Sequence, residues 1–436
     1  MFYFLIGMLC LLLALSAFIL KSAGFRFLGE NAHPLSLVIL LQILFFTLPG
    51  TIAIGVLDFP MSFDMDMDIS QSAKEYAVIS TILSIILFFL GLAFLFKSRI
   101  LSPLYYRAQD EKISTLKWLT FVSLIILAIK LASISEIPLL LAFSGDIVAA
   151  GEAKVRILTN QEGITVFGLN YIFRSFTSYV YLASVMLLSY DPKNSVKRAI
   201  FIANIPLALI NSLYDIQKFT IVLLVVSTFW LFYIRGGRAK YLIRGGLLGF
   251  GLSAVMFVIT LGYEFDMALV QDTLLRIFAG QNEGMFYIYQ FLTPDEKYLW
   301  LGMPLAGLFG LQQIDPAAEV VQILFPTAGD AWLNANTYYL AHAWTIFGTW
   351  SIILGPLFVL FNITVVLNIA RPFVAKNPTI YYPVIFWLII RVPIVNNYSD
   401  FLWFKVVLDF AINFGFVFVV DYLSRSNFAI QQPEKK

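Results

Sequence analysis

The chain has 436 residues, of which 60% are hydrophobic and only 13% charged, with a mean hydropathy of +0.83. Soluble globular chains carry about 25% charged residues, so this composition excludes a soluble enzyme, a disordered protein and a secreted disulfide scaffold. The formal net charge of +2 hides a strong asymmetry along the chain and gives no footprint for nucleic acid. What remains is an all-α polytopic membrane protein, read as a single integral membrane domain over residues 1–436.

Cys10 is the sole cysteine, which rules out an intrachain disulfide and a cysteine metal cage. His33 and His342 are the only histidines, so no metal site and no bound cofactor are expected. A crossing helix needs about 20 mostly apolar residues for about 30 Å of hydrocarbon. About eleven runs meet that need, near residues 2–20, 35–57, 76–96, 117–134, 166–189, 199–214, 216–234, 246–263, 349–370, 380–397 and 402–423. The first run is read as a span rather than a cleavable signal, because its cations, Lys21 and Arg26, follow the apolar stretch. The sixth and seventh form a tight hairpin whose tip carries Asp215 and Lys218.

The positive-inside rule orients the chain. With the N-terminus outside and the C-terminus cytoplasmic, 19 of the 29 Lys and Arg residues fall in inner loops. Five (Lys74, Lys154, Arg156, Arg276 and Lys297) fall outside. Two outer loops are long, about 135–165 and 264–347. The second holds the stretch 302–310, apolar but broken by Pro304 and three glycines, which reads as re-entrant or interfacial.

Ionisable side chains inside a bilayer are costly and usually face a cavity or a partner. Lys130, Arg174, Lys218, Arg391, Lys405 and Asp409 fall within the predicted spans, all in the outer half. Lys405 and Asp409 are spaced to pair along one helix face. Lys130, Lys218 and Lys405 read as interfacial anchors that snorkel. Arg174 and Arg391 lie deeper, about two turns in, and are short of carboxylates. A guanidinium donates two parallel hydrogen bonds to phosphate. A lipid diphosphate, with its head at the interface and its tail in the bilayer, fits such a cluster. Arg156 and Arg276 from the outer loops, with Lys218, are candidates to join it.

The second outer loop is rich in aromatic and amide residues, among them Tyr287, Asn334, Asn336 and Tyr338. Aromatic faces pack on sugar C–H faces and amides bond hydroxyls, so these four are candidate sugar contacts; an aromatic interface belt is the plainer reading. Candidate general bases are Asp272, Glu283, Asp330 and His342. Asp64, Asp66 and Asp68 alternate with methionines and read as a solvated run.

The whole pattern resembles the O-antigen or oligosaccharide repeat-unit polymerases of the Wzy type, which are polytopic glycosyltransferases of bacterial surface polysaccharide assembly. Three places carry the likeness beyond hydropathy. Residues 137–140 (IPLL) precede an outer loop with Arg156. The hairpin at residues 211–218 (NSLYDIQK) stands where such proteins often carry a Gly-Ser-Arg-like turn, with Lys218 in place of the arginine and no glycine. Residues 334–340 (NANTYYL), then Phe347, Gly348 and a span with Gly355, look like the family's late loop-to-helix junction. Related ligases carry a His-Asn pair near a similar Tyr-Leu; here Asn336 stands near it and His342 lies six residues on.

The resemblance implies repeated sugar transfer on the outer face of a bacterial cytoplasmic (inner) membrane. Donor and acceptor would be undecaprenyl-diphosphate-linked glycans, with membrane lipid and a chain-length regulator as further partners. The chemistry would be metal-independent, with Arg174, Arg391, Arg276, Lys218 and Arg156 on the diphosphate and Glu283 or His342 as base. A lipid-linked-oligosaccharide flippase or transporter, an O-antigen ligase and a non-catalytic assembly protein remain alternatives on the residues alone.

Overall fold

The computed structural model describes residues 2–30, 32–59, 69–101, 113–158, 161–164, 166, 168–261, 267–326, 335–392 and 397–429. Every regular element among them is helical. Nine segments there are long and apolar enough to cross a membrane. The first four are α1 (Phe2–Ser22), a rod over Pro34–Leu57, α4 (Gln71–Lys97) and α5 (Ile113–Ala132). The rod joins α2 (Pro34–Val38), a π-helical stretch over Ile39–Thr47 and α3 (Leu48–Leu57). The expected first outer loop folds into the short helices α6 (Pro138–Phe143) and α7 (Ile147–Leu158). Then come α8 (Leu169–Tyr190), α9 (Ser195–Leu213), α10 (Lys218–Gly236) and α11 (Lys240–Leu261).

The second expected outer loop is also largely helical. It contains α12 (Met267–Phe278), α13 (Glu283–Phe291), α14 (Pro316–Leu324) and α15 (Tyr339–Phe347). Between α13 and α14 a 3-10 turn covers Ala306–Phe309, and Leu305, Leu308 and Phe309 around it are all exposed. Such an apolar surface suits the interfacial reading of residues 302–310. The chain ends with α16 (Ser351–Lys376), α17 (Pro378–Ile390), α18 (Ser399–Leu402) and α19 (Lys405–Ala429). Residues 64–68, with their three aspartates, lie outside the described residues, as do Asp330 and Asn334.

Local chemistry sets the turns. Asn194 caps α9 by accepting from the backbone N–H groups of Val196 and Lys197, which satisfies two donors a helix start leaves open. Gly237 ends α10 in the left-handed conformation that glycine adopts without strain. The hairpin between α9 and α10 is as tight as expected: four residues, 214–217, join them. Ile216 there sits at φ 50°, a conformation that a β-branched residue adopts only when its surroundings hold it.

The decisive element is α17. Every residue from Pro378 to Ile390 is buried, so this helix is wrapped by protein on all sides. A helix that is apolar all round belongs in a core. It has 13 residues, or about 20 Å at 1.5 Å each, against about 30 Å of hydrocarbon. The tenth span was expected to run over 380–397; the helix instead stops at Ile390. Pro393 accounts for that, because the residue before a proline is disfavoured in the α region. Gln42, 3% exposed, donates its Nε2 to the Ile390 carbonyl at 2.8 Å and satisfies one acceptor left open by the early stop. Arg391 therefore sits at the end of a central helix that falls short of the bundle's rim.

A second expectation is corrected on α19. Lys405 pairs with Asp400, Nζ to Oδ1 3.3 Å, and not with Asp409 one turn on. Asp409 instead accepts from Asn413 Nδ2 at 2.6 Å on its own helix. The short helix α18 brings Asp400 back over the start of α19, which a reading along one helix face cannot see.

The alternation of spans puts the ends of α5, α9 and α17 with the starts of α8 and α10 at one end of the bundle. Lys97, Lys193, Arg235 and Lys376 stand at the other. In a Cys10→Ala background, Lys193→Cys and Asp146→Cys should react with a membrane-impermeant maleimide from opposite sides of sealed vesicles. Both sites are exposed, so same-side labelling would mean that the bundle is threaded differently.

Candidate functional site

Where α17 stops, six helix ends (of α5, α7, α8, α9, α10 and α17) surround a cavity of about 220 Å³. Lys130 from α5, Arg174 from α8, Asp215 from the hairpin and Arg391 after α17 line it, with Glu162 and Tyr171 at its side. Arg391 donates from Nη1 to Ser175 Oγ at 2.6 Å and lies over the Trp387 ring, 5.9 Å from its centroid. Arg174 is exposed to the opening. Its charge acts on Lys130, Asp215, Arg391 and Asp409 alike. Among the described residues no carboxylate reaches either guanidinium at ion-pair distance. Two unpaired guanidiniums at one hollow repel each other, and an anion between them relieves the repulsion.

Lys130 is not the snorkelling anchor its position suggested. It is 9% exposed, donates from Nζ to Asn211 Oδ1 at 2.9 Å and stands 4.0 Å from the centre of the Tyr214 ring. Asn211 and Tyr214 come from α9 and its hairpin, so the ammonium ties the end of α5 to the turn carrying Asp215. No spacing in the sequence pairs residues 81 positions apart. The clue available was the polar Asn211 near the end of an apolar run.

The two carboxylates of the cavity differ in environment. Asp215 is 8% exposed, and burial raises its pKa above the ordinary carboxylate value, with Lys130 acting against the rise. It accepts from the Gln217 backbone N–H at 3.3 Å. Glu162 is held below the ordinary range by the Ser135 hydroxyl and by Arg156. Arg156 bridges Glu162 and Glu136 at 2.7 Å each. The structure thus commits Arg156, itself outside the cavity lining, to Glu136 and to the lining residue Glu162, and does not bring it to the other arginines. Two carboxyl groups whose environments push their pKa values apart take different roles. Asp215 is thereby pushed toward the protonated form and Glu162 toward the charged form.

The other candidate bases lie elsewhere. His342 is 1% exposed in α15, and its Nδ1 accepts from the Tyr398 backbone N–H at 3.1 Å. It fastens the chain leaving the region after α17 and does not line the cavity. Glu283 is 2% exposed at the start of α13, also away from the cavity. Asp272 falls on α12, but its side chain lies outside the description. Of the expected sugar contacts, Tyr287 and Tyr338 are each 1% exposed and pack inside the outer cap, so neither offers a ring face to a sugar. Asn336 is half-buried and its carbonyl accepts from the Gly284 N–H at 3.0 Å. The aromatic composition of this segment served cap packing.

Lys218 and Arg276 do not join the arginines either. They line a separate cavity on the far side of the same hairpin. Neighbouring positions at the start of α10 point opposite ways: Gln217, just before the helix, and Thr220 face the polar cavity, Lys218 and Phe219 the other.

No protein-family model, curated protein or solved structure matches this chain.

Two outcomes test this geometry. A buried carboxyl with a raised pKa favours the folded state at low pH, and that contribution is lost as pH rises from about 3.9 through the raised value. Thermal unfolding in detergent should therefore fall across that window in the native protein and run flatter in Asp215→Asn; parallel curves would mean that Asp215 ionises normally. His342→Ala should cost about 1–3 kcal/mol by leaving the Tyr398 N–H without its acceptor. That loss would appear in the melting curve, with the pH dependence carried by Asp215 unchanged.

Proposed function

We propose that this multi-pass helical membrane protein is a glycosyltransferase that polymerises lipid-linked oligosaccharide repeat units. It acts on the outer face of a bacterial cytoplasmic membrane, in O-antigen, capsule or exopolysaccharide synthesis. One observation carries the reading: Arg174, Arg391 and Lys130, from three separate helices, meet beside a buried carboxylate in one hollow. That hollow lies at the end of the bundle opposite the cation-rich loops. Under the positive-inside rule that end faces outward. The Wzy-like plan of the sequence agrees with it.

The chemistry follows from the geometry. An acceptor hydroxyl oxygen attacks the anomeric carbon of the donor sugar. The bond from that carbon to the diphosphate oxygen breaks, and its electron pair leaves with the diphosphate. Arg174 and Arg391 meet the charge that grows there, a stabilisation strongest where water is thin and donors are already placed. The hydroxyl proton passes to Asp215, whose raised pKa brings it closer to the working pH than an ordinary aspartate. Asp215 takes the place of Glu283 and His342 as base, because neither of those reaches the hollow. Lys130 holds the hairpin and keeps Asp215 in register with the arginines.

Reconstitution with purified undecaprenyl-diphosphate-linked repeat units tests the reading. Polymer ladders and free undecaprenyl diphosphate should appear together. Arg174→Gln and Arg391→Gln should each lower the rate by about 100-fold, as loss of a donor to a growing oxyanion does elsewhere. Asp215→Asn should lower kcat with little change in KM. Full-length ladders from the two arginine variants would remove the mechanism; transport of the lipid-linked unit without polymer would assign the hollow to a flippase.

A further inference from the structure

The cavity on the far side of the hairpin has a different character. It measures about 440 Å³ and runs between the rod over Pro34–Leu57, α10 and α11. Along α10 it extends from Lys218 to Trp230, thirteen residues or about 20 Å. Its walls are apolar and aromatic, with Phe45, Phe219 and Phe229 among them. Among the described residues that line it, the charged groups are Lys218 and Arg276, at the end nearest the arginine hollow.

Glycines on α11 shape the opposite wall. A side chain at Gly245 would meet Phe229 Cβ at 2.8 Å, so α11 closes tightly on α10 there. Gly246 beside it faces open space, with nothing within 4 Å of a Cβ. The result is a long apolar slot with two cations at one end. That charge pattern complements an amphiphile with a single tail and an anionic head.

We infer that this slot seats the prenyl tail of a second lipid, the lipid-linked acceptor, with its phosphate against Lys218 and Arg276. Naming this lipid as acceptor rests on the transfer reading. The existence of a prenyl-phosphate site rests on the slot alone. The ring-lined wall suits a chain of flat alkene units better than two saturated acyl chains. The two sites then stand back to back, sharing the first turn of α10. A glycan rising from the phosphate at Lys218 crosses the 214–217 turn to bring its terminal hydroxyl to Asp215. The donor leaves its diphosphate with Arg174 and Arg391 on the other side. A transfer between two lipid-linked chains needs two such seats, and the hairpin separates them by one turn of helix.

The test uses the full chain in detergent and a polyprenyl monophosphate carrying a photoreactive group in its tail. Labelled peptides should map to residues 219–230 and 242–250. Gly246→Phe, which fills the slot where there is room for a side chain, should abolish that labelling. Lys218→Gln and Arg276→Gln should each weaken it about tenfold, the worth of one charge-assisted hydrogen bond. Excess unlabelled polyprenyl monophosphate should compete, and excess phosphatidylglycerol should not. Labelling that survives Gly246→Phe, or that phosphatidylglycerol displaces equally well, would overturn the inference and leave an ordinary lipid contact. Binding with no transfer activity would sink the polymerase reading and leave this site standing. Polymer made at the native rate by Gly246→Phe would do the reverse.

Discussion

The structure depends on one buried helix that is too short for the membrane around it. α17 is wrapped on every side and ends at Ile390, so the centre of the bundle has a floor about 20 Å above the cation-rich end and a hollow beyond it. The charged lining of that hollow is a guanidinium from just past the end of α17, a second from α8, an ammonium from α5 and the carboxylates of Asp215 and Glu162, set among apolar residues such as Ile134 and Phe173. A bundle of full-length apolar helices would have packed this volume shut and left Arg174 and Arg391 facing lipid.

Holding like charges together below the rim costs free energy, and the fold offsets part of that cost unevenly. Lys130 has an amide acceptor, an aromatic face and Asp215 nearby. Arg391 has a serine hydroxyl and the ring face of Trp387. Arg174 is left to solvent. The arrangement stabilises the bundle less than apolar side chains would, which is the usual mark of groups retained for a ligand. In the proposed transfer, a diphosphate would supply negative charge here with a geometry that guanidinium forks match.

The hairpin between α9 and α10 organises both cavities. Asp215 looks to one side and Lys218 to the other, and Ile216 between them takes a backbone conformation that costs energy. Its four residues therefore separate a charge-lined cavity from a largely apolar one. The ion-paired Arg156 and Glu162 close the polar side from α7 and the segment after it. Charge complementarity is local to each cavity, and the outer cap of α13 and α15 supplies packing.

Hydropathy by itself determined that the chain is a helical membrane protein, where most spans fall and which end gathers the cations, because apolar run length and loop charge are local properties. It also marked Arg174 and Arg391 as costly and the 211–218 hairpin as distinctive. Only the tertiary structure decided that α17 stops early, that Lys130 is bound to Asn211 and that Arg156 belongs to two glutamates. It likewise turned Tyr287, Tyr338 and His342 into packing and parted Lys218 and Arg276 from the other cations. These outcomes depend on which helix faces which. Sequence periodicity on an all-apolar helix such as α17 carries no sign of its neighbours, and a cation reads the same whether it faces lipid, a carboxylate or an empty hollow.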